Sequence, residues 1–296
     1  MKDILNKQDL ENLLDNYDTF MFDCDGVIWR GHEAIEGVKD SLELLRSKNK
    51  KLIFVTNNSS TSRKDYTKKF ESLGISADKG EIISSAYATA TYLADIVKFP
   101  KDKKVYIVGG LGIKEEFEEK GINCIFENEF PRNVKEELKH LKPNPEVGAV
   151  VFGIDFELNY IKMSKAHINI VHNPDCMFIA TNDDRVFPMA NYDFPGCGSL
   201  LHSLILSTGK KPTIIGKPNH YMLDCIKTEY KDIDLKRTLM IGDNLDTDIL
   251  FGINGNVDTL AVLTGVAKRE DFTGSSAKIV PKYCMKSMGL LSEMLN

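Results

Sequence analysis

The sequence has no apolar run long enough to cross a bilayer. The run in Lys51-Leu52-Ile53-Phe54-Val55 is among its longest, and a spanning helix needs about 20 apolar residues. No membrane partner is expected. Basic residues are not in excess: 38 Lys and Arg stand against 43 Asp and Glu, a net charge of −5. With no basic stripe interleaved with aromatics, that balance argues against a nucleic-acid partner. The six cysteines, 24, 124, 176, 197, 225 and 284, are spread out and form no Cys-x-x-Cys. Disulfides and a zinc site are not expected, and a reduced, cytoplasmic protein is. The start, Met1 to Asp9, is charged and has no apolar h-region, so no signal peptide is expected. No His-Glu-x-x-His occurs, and Gly109-Gly110-Leu111-Gly112 lacks the third glycine of a dinucleotide fingerprint. That cluster reads as a tight strand-to-helix turn.

What is present is an alternation of short apolar runs and helical patterns. At 296 residues the chain suits one large or two modest domains. Phe20-Met21-Phe22, Leu52 to Val55 and Ile82-Ile83 read as buried strands, with helices over Glu36–Lys48, Asp65–Leu73 and Tyr87–Val97 between and after them. Strand and helix in turn is the pattern of a parallel sheet wrapped by helices. Lys104 to Val108, Gly148 to Phe152 and Met177 to Ala180 supply further strands. Thr213 to Gly216, Thr238 to Gly242 and Thr259 to Leu263 read as resuming the first sheet. The expected organisation is an α/β core over 1–99 and 211–296, with a second α/β unit inserted over 100–210.

Polar groups cluster at the ends of the core's apolar runs. The first run ends in Asp23-Cys24-Asp25-Gly26, the second in Thr56-Asn57-Asn58, the third in Lys217 and the fourth in Asp243-Asn244-Leu245-Asp246-Thr247-Asp248. Strand ends of a parallel sheet share one edge, where ligands bind. Several acids suit a hard divalent cation with oxygen ligands, and Mg²⁺ with a substrate phosphate fits best. Thr56, Asn58 and Lys217 can donate to phosphate oxygens. A carboxylate facing a phosphate can act as nucleophile, and its neighbour two residues on can lend and retrieve a proton. Asp246 and Asp248 also suit capping of the helix that begins near Thr247. Cys24, between two acids, should have a raised thiol pKa and a packing role.

Asp23-Cys24-Asp25-Gly26-Val27, Thr56-Asn57-Asn58, Lys217 and Gly242-Asp243-x-x-x-Thr247-Asp248 resemble the four motifs of the haloacid dehalogenase-like phosphatases. Trp29-Arg30-Gly31, Val55 to Ser59 and the full Gly242 to Ile249 stretch narrow the resemblance. They are similar to the capped subfamily that contains phosphoglycolate phosphatase, 4-nitrophenylphosphatase and pyridoxal phosphate phosphatase. The resemblance implies a Rossmann-like core, an α/β cap over 100–210, and Mg²⁺. It makes Asp23 the nucleophile and a metal ligand. Asp25 becomes the acid/base and a metal ligand through its carbonyl, and Asp243 the third ligand. Thr56, Asn57, Asn58 and Lys217 hold the phosphoryl group, and Asp248 orients Lys217 or a metal-bound water. The segment Ala180 to Pro188 resembles the family's specificity loop, with Asn182, Asp183 and Arg185 as its candidates. The implied substrate is a small phosphorylated metabolite, 2-phosphoglycolate first. 4-Nitrophenyl phosphate serves as artificial substrate, and pyridoxal 5′-phosphate or a phosphoprotein are the alternatives. Relatives with this cap type imply a homodimer through the cap.

Overall fold

The computed structural model describes residues 1–128, 133–189, 192–274 and 277–295. The chain divides into two compact units. The larger comprises Met1–Thr56, Tyr66–Ile83 and Lys217–Asn296, and the smaller comprises Asn57–Asp65 and Ser84–Gly216.

The larger unit is built on a seven-stranded sheet. Its order is Lys2–Asp3, Tyr283–Met285, Asp258–Val262, Thr238–Gly242, Thr19–Phe22, Lys51–Thr56 and Ile82–Ser84. The recorded pairings along it run parallel. Its central strands are apolar throughout, because helices cover both faces of a parallel sheet. Thr19–Phe22 is buried at every position. The crossover to Lys51–Thr56 is the helix Val38–Ser47, which buries Val38, Leu42 and Leu45 on one face. These side chains join Phe20, Phe22 and Phe54 in the main core. Phe54 packs 5.8 Å from Phe22 and 4.5 Å from Phe70, centroid to centroid.

The smaller unit has its own five-stranded sheet. The order is Thr213–Ile214, Met177–Ala180, Val147–Phe152, Lys104–Val108 and Cys124–Ile125, all parallel. Val108, Val150, Phe152, Ala180, Ile170 and Leu201 lie in its core. Val186–Met189 and Tyr192–Pro195 form an antiparallel pair that the sequence pattern did not announce. Gly110 caps the helix Leu111–Glu119, so the glycine cluster is the strand-to-helix turn expected of it.

One strand corrects the expectation. Thr213–Ile214 does not resume the larger sheet; it pairs with Ile179 and Ala180 at the edge of the smaller one. Two apolar residues carry no information about which sheet they join. The units' edges also differ from the boundaries read at 99/100 and 210/211. The helix Ser85–Thr91 is buried along its whole length and packs on Leu111–Glu119 in the smaller unit. Residues 57–65 are fastened there too. Arg63 Nε meets Glu116 Oε2 at 2.9 Å, and Thr181 Oγ1 donates to Ser59 Oγ at 3.0 Å. Among the described residues, no helix is long and apolar enough to cross a membrane.

Candidate active site

Three strands of the larger sheet end side by side. Phe22 is in register with Ile241 on one side and Phe54 on the other. The residue after Phe22 is Asp23, whose N–H donates to Ile241 O at 2.9 Å. Asp243 follows Gly242 directly, and Thr56 closes the third strand and is buried. The parallel order therefore delivers Asp23, Thr56 and Asp243 to one edge.

Lys217 reaches this edge from a loop rather than from a strand of the larger sheet. It follows the Thr213–Ile214 segment and is nearly fully buried, 1% exposed. Its Nζ lies 2.6 Å from Asp23 Oδ1, 2.7 Å from Asp248 Oδ1 and 2.8 Å from Val55 O. The contacts to Asp23 and Val55 are hydrogen bonds, and that to Asp248 is an ion pair. Asp248 is held in return. Its Oδ2 accepts the N–H of Asp243 at 3.2 Å and of Asn244 at 3.1 Å. The helical turn beginning at Leu245 is capped by Asn244, whose side chain accepts the Asp246 N–H. Neither Asp246 nor Asp248 is that cap.

Asp23, Asp243 and Asp248 each offer a carboxylate oxygen, and the three oxygens lie within 4.8 Å of one another. One lysine faces three acids. Burial raises the Asp23 carboxyl well above its usual range; Lys217 opposes the rise, and Asp248 and Asp243 add to it. Burial, then the charge of Asp248, pushes Asp243 up to about 7. Burial works to lower Lys217, but Asp23 and Asp248 outweigh it and hold the ammonium above its usual range. Fully ionised, the cluster would carry more negative charge than its own cation balances, which is what the raised carboxyls express, and a second cation would relieve it. Hard, all-oxygen donors are what Mg²⁺ takes. Beside Asp243, positions 26 and 265 have room for nothing larger than hydrogen. A Cβ on Gly26 would stand 2.6 Å from Asp243 Oδ2, and one on Gly265 would collide with the same carboxylate. Asp243 is fixed by the Val266 N–H, which donates to its Oδ2 at 2.7 Å.

Asp25 behaves differently. Its side chain is exposed, and its Oδ1 accepts a hydrogen bond from Trp29 Nε1 at 2.8 Å. Cys24 between the two acids is fully buried. Burial first, then Asp23 and Asp25, push its thiol well above the usual range, as packing rather than reactivity requires.

The remaining candidates lie in the smaller unit. Asn57 is buried, and its Nδ2 donates to Asp184 Oδ1 at 3.0 Å. Asn58 Oδ1 accepts both the N–H and the hydroxyl of Ser60 at 2.8 Å. Asn182 is buried, donating to Asn57 O at 2.7 Å and accepting the Asp184 N–H at 3.1 Å. Asp183 and Arg185 are exposed. Asn57 and Asn182 are therefore brought together, while Asp183 and Arg185 face solvent. Asp184, bonded to Asn57 and Asn182, and Trp29, bonded to Asp25, were not among the site candidates read from the sequence. The pair of acids at 183 and 184 was the available signal for the first.

A family model described as haloacid dehalogenase-like hydrolase matches residues 20–123, and one described as HAD-hydrolase-like matches 214–289. The chain is 39% identical over 296 residues to a 4-nitrophenylphosphatase of Schizosaccharomyces pombe, covering 99% of each. It is 44% identical over 286 residues to phosphoglycolate phosphatase 1A, chloroplastic, of Arabidopsis thaliana, covering 93% of this chain and 77% of that one. The crystal structure of a 4-nitrophenylphosphatase from Thermotoga maritima superposes with a TM-score of 0.80 at 29% identity, covering 96% of this chain and 99% of that one. The chain belongs to the haloacid dehalogenase-like hydrolases, as its four motifs predict. It is a hydrolase whose relatives named here are all phosphatases.

Proposed function

We propose that this protein is a Mg²⁺-dependent phosphomonoester hydrolase that works through an aspartyl phosphate on Asp23. The observation that carries the reading is Lys217 Nζ at 2.6 Å from Asp23 Oδ1, inside a cluster of three buried carboxylates. A nucleophilic carboxylate must approach a phosphate of like charge. The buried ammonium offsets that repulsion and opposes the rise that burial gives the Asp23 carboxyl. Asp23, Asp243 and the Asp25 carbonyl are the proposed metal ligands. When bound, Mg²⁺ would supply positive charge at the transferring phosphoryl oxygens.

Asp23 attacks phosphorus, forming the new P–O bond as the ester P–O bond breaks. Asp25 gives its proton to the departing oxygen and is left as carboxylate. In the second step Asp25 takes a proton from water, and that water displaces Asp23 from phosphorus. Thr56, Asn57 and Asn58 are the proposed phosphoryl donors. Lys217 serves the phosphoryl group through its buried positive charge. Asp248 keeps Lys217 in place. Residues 100–210 act as the cap, with Asn182, Asp183 and Arg185 in its specificity loop and a homodimer formed through it.

The substrate is a small phosphorylated metabolite, with 2-phosphoglycolate ahead of glycerol 3-phosphate and pyridoxal 5′-phosphate. Exposed Arg185 suits a substrate carboxylate, and the loop from Ala180 to Pro188 contains no histidine. All six cysteines are free thiols, which supports a cytoplasmic protein. A panel of the three esters, compared by kcat/KM with and without EDTA, tests the reading. Activity that EDTA abolishes, led by 2-phosphoglycolate, supports it. A tenfold preference for pyridoxal 5′-phosphate, or activity confined to phosphopeptides, overturns the substrate assignment.

A further inference from the structure

Trp29 is the only tryptophan in the chain, and the functional reading above gives it no work. Its position is unusual. It closes the Asp23-Cys24-Asp25-Gly26 turn by three separate bonds. Its backbone N–H donates to Cys24 O at 3.2 Å, its carbonyl accepts the Gly26 N–H at 2.8 Å, and its indole Nε1 donates to Asp25 Oδ1 at 2.8 Å. The indole itself is fully buried. Phe70 meets it edge-on at 4.9 Å between centroids, and Tyr66 stacks on it at 6.2 Å. Lys69 Nζ sits 4.0 Å from the ring centroid.

These observations combine in one way. An exposed aspartate on its own samples several rotamers. Here one carboxylate oxygen is tied to a ring that close packing holds rigid. Indole N–H is a donor only, so it can hold Oδ1 and can never take a proton from it. The cation over the ring face draws on the π electrons and strengthens the N–H as a donor. Among the described residues, no protein donor meets Oδ2. We propose that Trp29 is a positioning residue for Asp25: it pins Oδ1 and so presents Oδ2 as the oxygen that gives up the proton to the leaving group. The step balances as written above: the Oδ2–H bond breaks, the leaving oxygen gains that hydrogen, and the ester P–O bond breaks. This inference rests on the phosphatase reading and adds one residue to it.

The test is Trp29→Phe, which keeps an aromatic ring and removes the donor. Wild type and variant are compared by kcat/KM on an alkyl phosphate, 2-phosphoglycolate, and on 4-nitrophenyl phosphate. The nitrophenolate leaves well without a proton; the alkoxide does not. The expected loss is about tenfold or more with the alkyl ester, the scale of losing an orienting partner, and under about threefold with the nitrophenyl ester. Loss of packing alone lowers both equally, so equal losses, or none, overturn the proposal. A second readout needs no turnover. The chain's single indole gives one N–H resonance in a ¹H–¹⁵N spectrum, and Asp25→Ala should move it upfield; an unmoved resonance overturns the proposal. If Trp29→Phe does not fold, Lys69→Met takes its place, with a loss of about twofold to threefold confined to the alkyl ester. Wild-type protein inactive on both esters refutes the phosphatase reading, and the indole resonance then still decides the contact.

Discussion

The acid cluster should make metal binding depend on pH, with a sign and size set by Asp243. Its carboxyl rises from an ordinary 3.8 to about 7 in the folded, metal-free protein. A raised carboxyl pKa means that the folded state holds a proton that the unfolded chain has released. Stability is therefore lost as pH rises from about 4 to about 7, and the full penalty stands above that. At 1.36 kcal/mol per pH unit, the whole interval is worth about 4 kcal/mol, and the stretch from pH 5.5 to 7 about 2 kcal/mol. Mg²⁺ needs the ionised carboxylate. At pH 5.5 it must displace that proton, so Asp243 alone should make its affinity about 30-fold weaker than at pH 8, and Asp23, raised in the same direction, should add to the fall. Titration calorimetry on EDTA-treated protein at the two pH values measures this directly. Thermal melts supply the companion result: added Mg²⁺ should raise the midpoint more at pH 8 than at pH 5.5. Asp243→Asn removes the titrating group and serves as the reference. An affinity that does not change between the two pH values refutes the reasoning. So does a metal-free wild type that gains stability over this interval relative to Asp243→Asn.

Three further outcomes follow from the same geometry. Lys217→Met leaves three buried acids without their ammonium and should cost about 3–5 kcal/mol of stability in the metal-free protein, read by urea unfolding. Mg²⁺ should restore part of that loss. Gly265→Ala places a methyl group against the Asp243 carboxylate; Mg²⁺ affinity should fall at least tenfold by calorimetry, while the far-ultraviolet circular dichroism stays unchanged. Phe54→Ala opens a hole beside Phe22 and Phe70 and should destabilise the larger unit by about 3–5 kcal/mol, seen as an earlier urea midpoint.

The strands that carry the site were legible because a buried parallel strand is an unbroken apolar run. Thr19–Phe22, Lys51–Thr56 and Thr238–Gly242 stand out in that way, and each stops at a polar residue. Other elements were not legible, for physical reasons. Lys2–Asp3 is an edge strand with charged side chains and no apolar signal. Thr213–Ile214 is too short to say which sheet it joins. Val186–Met189 and Tyr192–Pro195 are largely exposed, so no burial pattern marks them. The site shows the same division. Asp23 and Asp243 stand at strand ends, where topology alone places them. The link between Asn57 and Asp184 spans 127 positions in sequence, and nothing local to either residue announces it. The Trp29 indole is close to Asp25 in sequence, but only the fold shows that its N–H is turned toward that carboxylate.

The central claim is a covalent phosphoryl group on one named side chain. Protein turning over 2-phosphoglycolate with Mg²⁺ can be quenched and reduced with borohydride, which converts an aspartyl phosphate to homoserine. Peptide mass spectrometry should then find homoserine at position 23 and aspartate at 25, 243 and 248. Aspartate intact at position 23 during rapid turnover, or a purified Asp23→Asn protein that keeps wild-type activity, would contradict it.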